Sequence, residues 1–254
     1  MNLFGLISTE LLGLGFVIVF FSLIVVFTFI GKGQRLQNLR EISAFTRLKR
    51  SIGLAVEAGQ RLHLSLGHGG INGQQGASAL VGLSVLQRIA RVASISDHPP
   101  IASSGEATLT ILSQDTLQSA YHAINADNQY EPTTGQLSGL TPFSYAAGTL
   151  PIIFDSQTSV NLLIGSFGSE VGLITDASER KGGMAIAGSE NMTAQAIMYA
   201  SAQELLIGEE LYAAGAYLQA GPAHIASLRA QDVLRWVIIG IILLGALLKL
   251  VGVV

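Results

Sequence analysis

The sequence predicts an α/β fold: a Rossmann-like parallel sheet of about four to six strands with helices on both faces, flanked by N- and C-terminal transmembrane helices. Three observations predict it. A long apolar run lies near each end of the 254 residues. Between them, short apolar stretches alternate with segments of helical period, the pattern of a parallel sheet covered on both faces. Several of those stretches close on a glycine followed by an acidic residue, as in Ser-Gly-Glu (104–106), Gly-Ser-Glu (168–170 and 188–190) and Gly-Glu-Glu (208–210), where a strand turns into a helix.

The terminal runs come first. Residues 11–30, LLGLGFVIVFFSLIVVFTFI, hold no charge, and residues 236–254, WVIIGIILLGALLKLVGVV, hold only Lys249. About 20 apolar residues span a bilayer as a helix, and a lysine near a helix end reaches the headgroups. Nothing basic precedes the first run, Glu10 is acidic and no small-residue cleavage site follows, so the run reads as a signal anchor. Lys32, Arg35, Arg40, Arg47, Lys49 and Arg50 follow it, and Arg229 and Arg235 precede the second run. This bias predicts that residues 32–235 face the cytoplasm, with both termini outside a bacterial inner (plasma) membrane. Absence of cysteine fits a reducing compartment. The expected organisation is an N-terminal transmembrane helix (1–31), a basic juxtamembrane helix (32–60), a cytoplasmic α/β domain (61–221) and a helix continuing into the second span (222–254).

Charge divides the region between the spans. Residues 32–50 carry six basic residues and one acid, whereas 51–228 carry five basic residues against fourteen acids, a balance of −9. The basic collar suits an anionic lipid surface, at roughly 1 kcal/mol per residue, so the bilayer is the expected partner. The acidic body argues against nucleic acid, whose binders need basic patches. Only 19 of those 178 residues are charged. A surface so poor in charge resembles the core of a protein contact, and predicts a homo-oligomer.

The elements follow in order from periodicity. Residues 34–59 read as a helix continuing the first span, with Leu36, Leu39, Ile42, Phe45 and Leu48 at intervals of three. RLHLSLG (61–67) alternates as a strand, and 77–95 is helical. Pro99 and Pro100 force an extended start to PPIASSG (99–105). Residues 106–125 are helical, 126–142 form a loop, and 143–154 begin as a helix. VNLLIGS (160–166) and MAIAG (184–188) are strands, each followed by a helix (170–182 and 192–202). ELLIGEE (204–210) is a last strand and 211–219 a helix. Pro222 then opens the long helix that enters the second span. Ser169 and Ser189 are placed to cap helices, with the glutamates in first turns.

The loop LSLGHGGINGQQGAS (64–78) lacks an acid where the other junctions have one. It is therefore the one strand-to-helix turn that favours a small anion or a nucleotide. The candidate ligand-binding residues are Gly67, His68, Gly69, Gly70, Asn72, Gly73, Gly76 and Ser78. The loop departs from the dinucleotide fingerprint, because Asn72 stands where a third glycine is required, and it has no P-loop lysine. A spacing of Gly70, Gly73 and Gly76 at threes remains, which also suits a packing turn.

The stretches LSLGHGG, PPIASSGEATL, NLLIGSFGSEVGLI and LLIGEELYAAGAYL, with PAHIASLRAQDVLR after them, resemble an uncharacterised bacterial membrane-protein family, a domain of unknown function common in Chloroflexi and similar lineages. The likeness covers residues 50–236. It implies a two-span anchor, a cytoplasmic α/β body and a bacterial origin, and carries no substrate or catalytic residue.

Other chemistries find little footing. His68-Gly69-Gly70 has the look of an oxyanion loop, but no Gly-x-Ser-x-Gly elbow exists, and Ser166 is the nearest candidate expected to be exposed after a strand. No His-Glu-x-x-His or cysteine offers a metal site; His63 and His68 are expected on opposite faces of a strand. The pairs Asp97–His98 and Asp115–His122 are expected to be solvated polar residues on the surface, and Glu209–Glu210 to open a helix. Neither span has an interior ionisable residue, which argues against transport. No catalytic residue, metal or cofactor is assigned. The expected function is a membrane-anchored scaffold forming homo-oligomers through its α/β domain. A sensor or enzyme using loop 67–76 is the alternative.

Overall fold

The computed structural model describes residues 3–30, 39–73, 76–93, 96, 98–155 and 157–250, with side chains from Glu10 onward. The chain forms two compact units, Met1–Leu39 with Gly221–Val254, and Arg40–Ala220.

The first unit holds helices α1 (Leu3–Ile30) and α9 (Pro222–Leu250), packed on each other. By length and composition, Glu10–Ile30 and Pro222–Leu250 can each cross a membrane. Their leucines, isoleucines and phenylalanines are largely exposed, as lipid-facing side chains would be. The hydroxyls of Ser22 and Thr28 donate to the carbonyls of Ile18 and Ile24 one turn back, so neither is left bare in an apolar medium.

The second unit is a six-stranded parallel sheet in the order β3-β2-β1-β4-β5-β6, with β1 Arg61–Gly67, β2 Ile101–Ser104, β3 Gly135–Leu137, β4 Thr158–Ser166, β5 Met184–Gly188 and β6 Glu204–Leu206. Alternation decides which side chain faces which layer. Leu62, Leu64, Leu66, Val160, Leu162 and Ile164 point to one face. There they bury against α2 (Ser43–Glu57), α3 (Gly76–Ala93), α4 (Ala107–Ala123) and α8 (Glu209–Tyr217). Leu163, Phe167 and Ala187 join the other face, under α5 (Pro142–Phe154), α6 (Val171–Lys181) and α7 (Met192–Ser201). Helices on both faces explain why these strands read as continuous apolar runs.

Three local expectations are corrected. The helix expected from residue 34 begins at Ser43; residues 39–42 are not helical, and 31–38 lie outside the described residues. The loop 126–142 contains two short 3-10 turns and the edge strand β3. Three residues are too few to show a period; β3 exists because its backbone pairs with Ala102–Ser104 and Gln114 Nε2 donates to the Gly135 carbonyl at 2.7 Å. The glutamates 209 and 210 lie inside α8, so β6 stops at Leu206.

Candidate site at the switch point of the sheet

The strand order reverses between β1 and β4: the chain builds outward from β1 through β2 to β3, then returns to add β4, β5 and β6 on its other side. Loops leaving the carboxyl ends of β1 and β4 flank this switch point, where open α/β sheets form a ligand crevice. The glycine loop lies at that point.

Gly67 ends β1 at φ +80°, a conformation that a Cβ resists, and an added Cβ would run into the Ser166 carbonyl oxygen. The next peptides knit the strand ends together: His68 N donates to Ser166 O (3.0 Å), Gly105 N to Gly67 O (2.8 Å) and Ser138 N to Ser104 O (2.9 Å). His68 lies against Gly105, where a Cβ would come 2.7 Å from its Cα. Its imidazole reaches toward the end of β4, and Nδ1 is 2.8 Å from Glu170 Oε1, without the alignment of a linear hydrogen bond. Glu170 is 1% exposed and also accepts from Gly168 N at 2.8 Å. Burial pushes its carboxyl up, but His68 and the backbone amides of Gly168 and Glu170 outweigh that and hold it below the usual range.

Of the expected ligand residues, Gly67, His68, Gly69 and Gly70 gather at the end of β1, between Gly105 and Glu170. Gly70 lies over the Glu106 side chain, with 3.4 Å from an added Cβ to Cγ. Asn72 and Gly73 sit on the exposed outer turn. Gly76 N donates back to Gly73 O (3.0 Å), closing that turn at the start of α3, and Ser78 is buried in the first turn of the helix. The collar is less uniform. Arg40 lies 3.9 Å from Glu210 and Arg47 2.6 Å from Glu204. Lys49 and Arg50 are exposed and Arg229 half-buried, while Arg235 pairs with Asp232 at 3.6 Å. Lys32 and Arg35 lie outside the described residues.

The junction glutamates do not all behave as expected. Glu106 is itself the cap of α4, accepting from Leu109 N at 2.7 Å. Burial raises its pKa, but the Leu109 and Thr108 bonds prevail and lower it. Ser169 and Ser189 do not cap: α6 has Glu170 at its cap position without a side-chain bond, and Asn191 caps α7 by accepting from Thr193 N at 2.9 Å. Ser189 Oγ instead accepts from Phe167 N at 3.2 Å, tying the end of β4 to the turn after β5. The residues after the strands serve neighbouring turns, because parallel strand ends crowd together. Glu190 has both carboxylate oxygens buried with no partner among the described residues.

Beneath the crevice lies a buried polar lattice that the sequence reading did not single out. On the α5/α6 face, His63 Nδ1 is 3.0 Å from Asn161 Oδ1 and Nε2 is 2.8 Å from Ser103 Oγ. Asn161 Nδ2 donates to Ser178 Oγ at 3.0 Å. Tyr145 OH lies 2.5 Å from Ser65 Oγ and accepts from Gly67 N at 3.2 Å. The register puts His63 beside Asn161 and Ser65 beside Ser103, so the lattice crosses three strands. Burial lowers the His63 pKa to about 4 despite its Asn161 bond, and raises that of Tyr145. At neutral pH both are uncharged. They are fully enclosed, so they position Gly67 and the strand ends rather than meet a ligand. The signal was present: His63, Ser65, Ser103 and Asn161 are polar residues on otherwise apolar strands. His63 and His68 do not share a site, since His68 has already left the strand. His122 pairs with Asp127 (3.1 Å) rather than Asp115. Asp97 lies outside the described residues. Among the described residues, no group of three or more His, Asp or Glu could hold a metal ion.

The fold defines a class: an α/β protein with a strand-order switch point in its parallel sheet and two apolar helices able to span a membrane. The sequence pattern of a domain of unknown function, DUF6754, matches residues 6–254, and the chain belongs to that family. No curated protein and no solved structure matches the chain.

Proposed function

We propose that this protein is a membrane-anchored module that binds a small phosphorylated ligand, a nucleotide first of all, in the crevice between the ends of β1 and β4. One observation carries the reading: the glycine loop leaves the central strand where the strand order reverses, and it leads into α3, which has no acid in its first turn, whereas α4, α6 and α8 have a glutamate at the cap or first turn. The phosphate meets the amides of that turn. The half-buried side chain of Glu106, beside Gly70 on the neighbouring strand end, suits hydroxyl and amino groups of the remainder. The basic collar supports a cytoplasmic body, with both termini outside the inner membrane of a bacterial cell.

The test is thermal melting of the full chain in mild detergent with ADP. Saturation at 100 times Kd stabilises a folded protein by about 2.7 kcal/mol, so a concentration-dependent rise in Tm is expected. Ala77→Asp puts an acid at an exposed position in the first turn of α3, where it favours the helix and repels an anion. That variant should fold and lose the ADP response. No rise with ADP, or an equal rise in the variant, overturns the reading.

A second reading is a homo-oligomeric scaffold. Large apolar side chains stand bare at both ends of the sheet: Leu140 (70% exposed) and Phe143 (64%) beyond β3, and Met192 (84%) and Tyr199 (77%) on α7. Such residues at two separate places suit head-to-tail contacts between copies. Light scattering from the detergent-solubilised chain tests it, and a monomer would remove it.

A further inference from the structure

A second site lies on the other core face of the Arg40–Ala220 unit. A cleft of about 300 Å³ is formed by α2, α3 and the end of α8. Its walls are apolar, from Ile52, Ile89, Val92 and Leu218, and Lys49 and Arg88 line it with no acid among the lining residues. The body of this chain is strongly acidic, so an acid-free cleft with two cations is an exception within it. Four other basic residues of this unit meet carboxylates: Arg40 with Glu210, Arg47 with Glu204, Arg61 with Asp155 and Arg180 with Asp176. Lys49 and Arg88 make no ion pair among the described residues. Because α3 runs back antiparallel to the strands, its last turns, with Arg88 and Val92, lie away from the switch point.

We infer that this cleft binds the headgroup of one anionic phospholipid, with the phosphate between Lys49 and Arg88 and the glycerol and first acyl carbons against the apolar wall. The chemistry of the lining selects that occupant. A hydrophilic anion would leave the accessible apolar lining, chiefly Val92, wet, and an uncharged lipid would leave two cations without a counter-charge. The volume suits a headgroup and its nearest carbons rather than whole chains. The site is independent of the crevice, and either can fail without the other.

The experiment uses the full chain in a neutral detergent. Its Tm is followed against dioctanoyl phosphatidylglycerol, dioctanoyl phosphatidylcholine and inorganic phosphate. Phosphatidylglycerol should raise the Tm saturably, and the other two should not. Lys49→Gln and Arg88→Gln should each weaken half-saturation about tenfold, the scale of one charge-assisted hydrogen bond. Arg91→Gln removes the same charge from an exposed position on the same helix, outside the cleft, and should leave the response intact. If Arg88→Gln does not fold, the exposed Lys49 still decides. An equal loss in Arg91→Gln would reduce the effect to general surface charge. An equal response to phosphate would make the ligand a free anion, and no response to phosphatidylglycerol would remove the site. Each of these three results overturns the inference.

Discussion

His63 sits at the middle of the sheet, hydrogen-bonded on both ring nitrogens and shut away from water. Burial lowers its pKa from 6.5 to about 4, against the pull of Asn161. Between those values the unfolded chain holds a proton that the folded chain refuses. Stability is therefore level above pH 6.5 and falls as the pH drops toward 4, by a total on the order of 3 kcal/mol. Melting curves from pH 7.5 to 4.5 should show that slope, and His63→Gln should flatten it while lowering Tm at pH 7.5. Glu106 and Glu170, whose pKa values are lowered, lose their contribution only at still lower pH, so the two effects separate. Glu190 makes the opposite case. Its two oxygens are buried without a partner among the described residues, and Glu190→Gln should raise Tm by differential scanning calorimetry, since a buried, unpartnered carboxyl group costs more than a buried amide. A fall would mean that the carboxylate is used. These residues show how sequence reading succeeds and fails at this scale. Polar residues within apolar strands were visible. Their partners were not, because Tyr145 and Ser178 come to His63's layer through α5 and α6, far along the chain.

At the scale of elements, the β1-loop-α3 unit was legible almost to its boundaries. Alternation ended at Gly67, and the helical period resumed after the glycines. Gly82 shows why α3 can lie where it does: a Cβ there would sit 2.5 Å from the Ile164 carbonyl oxygen and 2.7 Å from Leu66 Cδ2. Gly82→Val should push the helix off the sheet and cost at least about 2 kcal/mol in urea unfolding, as overpacking does; a change below about 0.5 kcal/mol would show that the helix can shift without loss. Edge strand β3 and the true start of α2 were illegible for a different reason. Three residues carry no period, and residues 39–42 continue an apolar spacing that the backbone does not follow. The capping serines misled because parallel strand ends crowd together, so that Ser189 satisfies Phe167 on the adjacent strand instead of its own helix.

For the whole molecule, the division was read from hydropathy and charge alone: two apolar helices in one unit, an acidic sheet domain in the other. The chain should partition with membranes on carbonate washing and be released only by detergent; release by carbonate would contradict two spans. Protease added outside intact bacterial cells should leave the sheet domain whole, and cleavage there would reverse the proposed orientation. Strand order carries a consequence for synthesis. The central strand β1 leaves the ribosome before any other, yet one of its two flanking partners, β4, begins only at Thr158. Until some hundred more residues have been translated, the nascent domain has an open backbone edge at its very middle. Translation arrested between β3 and β4 would strand that raw edge, so chaperone cover should peak in that interval and decline once β4 has docked.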